Sequence, residues 1–507
     1  MTELMSRTVP VARPARSLRW AVPVIPALVC GLAMLAVALV HAGRPRLSWD
    51  EVTSAEVSAR TVPEIWRLIQ HVDAVFGAYY TFLHFWSGVF GTTELALRVP
   101  SIIAMSAAVA LAAELARRLF GPLVALATGA ILVIIPNTSR YAAEARPYAF
   151  VCFFSMLALC LLIGTLRRPG AAWDRGRVLW WSGYALSVLL LGGFHLVSLT
   201  VLSAHAAVAL IFAWRRRDWR IVAAWAVAVA VALLPLLPLA RLGSRQDAVQ
   251  LHWVKPITIA GIRAMPADII GSPQLAWLLI GLAVLATWRP VRRLTPIAVL
   301  ALGPLVAVAL VSALITPMWV ARYMLVVLAP TAILAAVALV GEGDTPRRSV
   351  FEWPVLRAGA VLVVMAVVAV PGQRAIRTAT AKNGPDYRGL VALVERYQGP
   401  GDVIAYPPEN RAMRAGMEYY FRRYPTAPAD VLLEVPAPRT GELTGREYPD
   451  DAVRLAGAPG IWLIAANRVA DPTAPRPSLR PMLSSHYHRV GLWQVKHATA
   501  ALYRPVS

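Results

Sequence analysis

Eleven apolar runs, separated by short basic clusters, constrain this chain more than any other feature. About 20 consecutive apolar residues match the hydrocarbon thickness of a bilayer. A 507-residue chain carrying run after run of that kind has no soluble packing that could bury them all. The runs predict crossing helices over residues 20–41, 99–119, 122–135, 147–166, 178–191, 194–214, 221–239, 274–288, 294–315, 318–340 and 355–370. The mean hydropathy of +0.56 agrees.

The formal charge of +22 fits the same picture, because Lys and Arg collect in the cytoplasmic loops of membrane proteins. Arg7, Arg13, Arg16 and Arg19 precede the first run, which therefore starts inside. Three aromatic or amphipathic segments follow it, at residues 52–60, 63–71 and 78–90, and read as interfacial helices. If 78–90 lies in the interface, the clusters at Arg117-Arg118, residues 167–177, Arg215-Arg216-Arg217, Arg289, Arg292, Arg293 and Arg347-Arg348 all fall inside. Residues 42–77, 136–146, 241–273 and everything after the last run then lie outside. Val40-His41-Ala42 has some likeness to a signal-peptidase site, but the run before it is longer than a secretory core, so an uncleaved first helix is expected.

Several function classes drop out. Nucleic-acid binding needs a soluble basic face, and here the cations are scattered between apolar runs. Cys30, Cys152 and Cys160 lie within such runs, in no Cys-x-x-Cys or Cys/His spacing, and read as packing residues. From about residue 371 the composition turns polar. A helical period over 386–397 and short apolar runs at 402–406, 461–465 and 499–503 predict a small α/β domain. The expected division is a membrane domain, residues 1–371, and an exported domain, 372–507. The latter has no glycine-rich phosphate loop, and the chain has no internal repeat.

The candidate site residues gather at the outer face. Asp50 and Glu51 stand just past the first run, where a carboxylate is costly and usually functional. Adjacent residues point in different directions, so one acts while the other supports the structure or binds substrate. A helix cap is the alternative for Asp50. Asp73 reads as a cap or a contact for substrate hydroxyls. Tyr79, Tyr80, Phe82, Phe85 and Trp86 read as an interfacial belt or the lining of a lipid-tail groove. Arg140, Glu144, Arg146 and Tyr148 form a second unusual patch, and Arg322 and Tyr323 a third. Arginine suits paired phosphate oxygens, with snorkelling as the bland reading. His195, at an outer helix start, reads as a packed residue or a substrate contact. His252 and Lys255 share an outer loop in which Lys255 is a further candidate for phosphate.

The acidic pair, Asp73-Ala-Val-Phe-Gly-Ala-Tyr-Tyr80, Leu97-Arg-Val-Pro-Ser101, Glu144-Ala-Arg-Pro-Tyr-Ala-Phe150 and Ala321-Arg-Tyr-Met-Leu325 occur in an order that resembles the GT-C glycosyltransferases. The likeness is greatest to actinobacterial members related to protein O-mannosyltransferases and lipid A aminoarabinose transferases, and covers roughly residues 47–325. It implies a multi-pass plasma-membrane enzyme that transfers a sugar, mannose first, from a polyprenyl-phosphate carrier with inversion. The acceptor is a hydroxyl of an envelope glycan, lipoglycan or protein on the outer face. Asp50 matches the family's proposed base, and the outer arginines would receive the phosphate. A lipid-phosphate donor needs no nucleotide fold. No resident cofactor is expected: some relatives use a divalent metal, and no second carboxylate cluster here demands one. One alternative is arabinofuranose transfer from decaprenyl-phosphate arabinose. Another is a lipid or sugar transporter, which predicts inverted repeats and mid-membrane charge. A structural assembly protein is the third.

Overall fold

The computed structural model describes residues 24–168, 174–288, 294–341, 353–408 and 410–506. The four N-terminal arginines, the start of the first run, part of the 167–177 cluster, Arg289, Arg292, Arg293, Arg347 and Arg348 lie outside the described residues. Among the described residues, eight helices are long and apolar enough to cross a membrane. Two helix pairs, bent by 71° at residue 135 and by 96° at 271–272, raise that number to ten if each pair is one span. The shorter apolar helix Ile25–Leu39 stands at the first run. Every expected crossing thus meets a helix.

The boundaries differ where charge misled the reading. The second crossing helix begins at Glu94, five residues earlier than expected, capped by Thr93. Its first turns carry Glu94 and Arg98, which look like loop residues in sequence but are both buried and paired. Residues 241–250, expected in a loop, continue the preceding helix to Gln250. Within the same expected loop, Ile259–Ile270 is also helical.

The three interfacial segments are helices Trp49–Ser58, Val62–His71 and Gly77–Phe90. Tyr79 and Tyr80 do not form a surface belt. They are buried, while Phe85 on the same helix is exposed. The helical period puts Tyr79, Tyr80 and Leu83 on one face, toward the core.

The C-terminal region carries a four-stranded sheet in the order β1 (Val403–Ala405), β4 (Ile461–Ala466), β6 (Ala498–Pro505), β5 (Tyr487–Val495). Strands β1, β4 and β6 are the three expected. β1 runs parallel to β4, and β4 antiparallel to β6. Strand β5 was not expected. It is an edge strand with mostly exposed or half-buried side chains, so it has no apolar run. Its hairpin to β6 turns at Lys496-His497, with His497 at φ 54°, a left-handed residue without the usual Gly or Asn. β2 (Leu433–Val435) and β3 (Arg446–Glu447) form a separate small ladder.

Two large cores result. One fills the helix bundle. The other joins Leu47, Val52 and Ala55 of the Asp50 segment to Tyr387, Met413 and Trp462 of the C-terminal region. The boundary expected at 371/372 falls inside the helix Trp353–Ala375, and this second core contains residues from both sides of it.

Candidate functional site

The helix Trp49–Ser58 starts with a capping box. Ser48 Oγ accepts from the Glu51 N–H at 3.2 Å, and the Glu51 carboxylate accepts from the Ser48 N–H at 3.0 Å. Ser48 is therefore the cap, which leaves the Asp50 side chain for other work. The same geometry turns the two neighbouring acids apart. The Asp50 side chain is 35% exposed and that of Glu51 is 0%.

Glu51 is saturated. Arg98 donates to both of its oxygens, Nε at 2.8 Å and Nη2 at 2.9 Å. The Ala145 N–H donates at 3.0 Å, and Lys382 Nζ lies 3.6 Å away. Burial pushes this carboxyl up, but the Arg98 and Lys382 charges and these hydrogen bonds hold it well below the ordinary carboxylate range. Arg98 spends its remaining capacity on the carbonyls of Ala42, Pro45 and Arg46. The expectation that Glu51 binds substrate is therefore corrected: no face of it is open, and it locks the chain entering the site helix. Glu144 belongs to the same buried group, 3.6 Å from Lys382.

Asp50 faces cations. Arg322 Nη1 donates to its Oδ2 at 3.1 Å. Arg146 is buried nearby, with its guanidinium carbon 4.0 Å from the centre of the Phe76 ring and Nη1 3.4 Å from Ser54 Oγ. Desolvation is the largest single influence on the Asp50 carboxyl and pushes it up. Arg146, Arg322 and Arg411 together outweigh it and hold the group below its ordinary value. Arg146 Nε, Arg322 Nε and the Tyr148 hydroxyl are buried without hydrogen-bond partners among the described residues. Arg322 also stands over the rings of Tyr148 at 5.7 Å and Trp253 at 4.9 Å. The cluster therefore offers one reachable anion, two arginines and unsatisfied polar groups, the donor set that suits a phosphate.

The other expected residues divide. His195 is packed between Tyr323 and Tyr148, with ring centres 4.9 and 5.8 Å away, and its Nδ1 is hydrogen-bonded to Ser198 Oγ at 3.0 Å. It walls the site from behind, as does the buried Tyr323. Asp73 does not cap the following turn. It sits at φ 58° and accepts from the Tyr80 hydroxyl at 2.7 Å. Tyr79 is enclosed by Phe150 and Phe194. Arg140 lies over Tyr141 and faces a different cavity, with Lys382 and His41. Lys255 and His252 are exposed in the loop that supplies Trp253. Among the described residues no group of three His, Cys, Asp or Glu side chains is placed to hold a metal.

Four contributors were missed: Arg98, Trp253, Lys382 and Arg411. Arg98 stood inside a motif already singled out, and an arginine in an apolar helix was its signal. Lys382 and Arg411 come from beyond the last crossing, and nothing local marks them.

Residues 77–240 match the sequence profile of the family described as dolichyl-phosphate-mannose-protein mannosyltransferase. No curated protein matches the chain. Among solved structures it is similar to ArnT from Cupriavidus metallidurans in the apo state, with TM-score 0.61 and 15% identity over 96% of this chain and 98% of that one. The same protein bound to undecaprenyl phosphate gives TM-score 0.59 with the same identity and coverage. The oligosaccharyltransferase of Archaeoglobus fulgidus, apo form, follows at TM-score 0.46 and 12% identity over 80% of this chain and 60% of that one. The chain has the GT-C fold, that of a multi-pass membrane protein.

Proposed function

We propose that the chain is an inverting glycosyltransferase that moves a sugar from a polyprenyl-phosphate carrier to a hydroxyl acceptor, with Asp50 as general base. The observation that carries this reading is the partly exposed Asp50 carboxylate set against Arg322 and Arg146, whose buried Nε atoms lack partners among the described residues. Asp50 takes the proton of the acceptor hydroxyl as the acceptor oxygen bonds to the anomeric carbon. The bond from that carbon to the phosphate oxygen breaks on the opposite face, giving inversion. The polyprenyl phosphate leaves with an added negative charge, which Arg322 and Arg146 stabilise. Tyr148 donates its free hydroxyl to the phosphate or the sugar, and Lys255 steers the incoming anion from its loop.

An apolar groove of about 340 Å³ begins at Trp319, three residues before Arg322, and continues past Met265, Leu279, Leu305 and Leu328. It would take the carrier's hydrocarbon tail while the phosphate stays at the arginines. Mannose is the first choice of sugar, supported by the description of the matching family. Arabinofuranose from decaprenyl phosphate is the alternative. The acceptor is an envelope glycan, lipoglycan or protein hydroxyl, and the site faces the exported side of the plasma membrane. The clustering of ionisable groups at one end of the bundle favours this reading over a transporter.

The test is transfer by purified protein from polyprenyl-phosphate mannose and, separately, decaprenyl-phosphate arabinose to hydroxyl acceptors. Anomeric configuration is read in the product. Retained configuration, or no transfer despite measured binding of either donor, would overturn the reading.

A further inference from the structure

A long groove runs on the bundle surface between the helices Ile25–Leu39 and Trp353–Ala375, floored by Pro122–Ile134. Its first part holds about 510 Å³ and is wholly apolar, with Val29, Ala33, Ala130, Gly359 and Leu362 among its walls. Toward the end of the bundle that carries Asp50 it opens into about 600 Å³, sharing Val133 and Ile134 with the first part. There Val37, Ala366 and Val370 keep the floor apolar, but His41, Arg44, Arg374 and Arg377 form the rim. Val40, His41 and Arg377 also line a third space of about 230 Å³, to which Arg140 and Lys382 add. Among the described residues, no Asp or Glu lines any of the three.

The rim is a concentration of uncompensated positive charge. Arg377 donates to the Val37 and Val40 carbonyls at 2.8 and 3.2 Å, which ties the two helices together without neutralising it. Arg44 and Arg374 are exposed, and their guanidinium groups make no hydrogen bond or ion pair among the described residues. Only 17% of the apolar stretch of the helix that forms one wall is buried among the described residues, which leaves that wall for lipid to cover in a membrane. Basic pockets between membrane helices recognise phosphate headgroups, and arginine presents the geometry that a phosphate takes.

We infer that this groove is a binding site for an anionic phospholipid, with an acyl chain between the two helices and the phosphodiester at Arg44, Arg374 and Arg377. A zwitterionic lipid would bring its own cation to a rim that already holds several. The groove is also separate from the reaction site. Lys382 lines its far end and is 3.6 Å from the wholly buried Glu51, so a closed layer stands between the groove and Asp50. The inference requires only that the chain span a membrane and is independent of the transfer reaction.

Native mass spectrometry of the detergent-purified full chain, titrated with phosphatidylglycerol, phosphatidylcholine or polyprenyl phosphate, tests it. Phosphatidylglycerol should be retained well above phosphatidylcholine. Each rim arginine is worth roughly fivefold, so the double variant Arg44→Gln with Arg374→Gln should lower that retention roughly twenty-five-fold. Gly359→Leu tests the tail: Gly359 lines the groove and a Cβ there meets nothing within 4 Å, so the new side chain starts into open space. It should lower retention with an unchanged melting temperature. Equal retention of the two phospholipids overturns the proposal, as does retention unaffected by both variants. So does polyprenyl phosphate displacing phosphatidylglycerol from the wild type but not from the arginine double variant.

Discussion

Asp50 and Glu51 are neighbours in the chain with opposite environments, and two predictions follow from Asp50's. Asp50→Asn keeps the shape and removes the proton acceptor. In the proposed mechanism kcat should fall about a hundredfold to ten-thousandfold while the affinity for the polyprenyl-phosphate donor changes little. Turnover and donor binding on folded protein check this, and near-normal turnover would pass the role to another acid. The second concerns pH. Asp50's carboxyl is held below its ordinary value by Arg146, Arg322 and Arg411 against the upward push of burial. A base with a depressed pKa is active above the usual carboxylate range and fails only as pH falls through that lowered value. Arg322→Gln removes one of the cations, so the acid limb of kcat/KM should move to higher pH, with weaker donor binding as well. An unmoved limb would mean that Arg322 does not act on the group whose titration limits the reaction.

At the scale of elements, the site helix is held from its first turn. The capping box fixes where it starts, and Arg98 fixes the three preceding carbonyls and Glu51 with one guanidinium group. Removing one member of a buried ion pair leaves the other charged and unmatched, at about 3–5 kcal/mol. Glu51→Gln should therefore lower the denaturation midpoint of the detergent-purified protein strongly. Asp50→Asn, at a partly exposed position, should barely move it. Equal effects of the two on unfolding would contradict the division of roles drawn here. The edge strand β5 shows the opposite case, an element held by the register of β6 and not by its own apolar pattern.

At the scale of the whole molecule, the C-terminal region is part of the site's scaffold. Tyr420 Oη accepts from the Leu47 N–H at 3.0 Å, Arg388 and Arg423 both pair with Glu94, and Lys382 reaches Glu51. Truncation after Gln373 would remove these contacts and about half of the second core. The shared core predicts loss of both donor binding and transfer, measured on the truncated protein; intact donor binding would refute it. Topology is tested by thiol labelling in whole cells: a cysteine at Lys255 should react from outside and one at Arg216 should not. The apolar and amphipathic helices, and the gathering of Asp50 with Arg146 and Arg322, were legible in the sequence, because apolar runs, helical periods and costly charges are local signals. The start at Glu94, strand β5, the burial of Glu51 and the parts played by Arg98, Lys382 and Arg411 were not. Strand β5 is held by its hairpin partner β6 and not by its own apolar pattern, and the others depend on partners distant in the chain: Glu51 and Arg98 are 47 residues apart, and Lys382 is further still. By itself the sequence determined that the chain is a multi-helix membrane protein with acids and arginines gathered at one end. Only the tertiary structure decided which acid is free, because a carboxylate's chemistry is set by the charges and hydrogen-bond donors that folding brings to it.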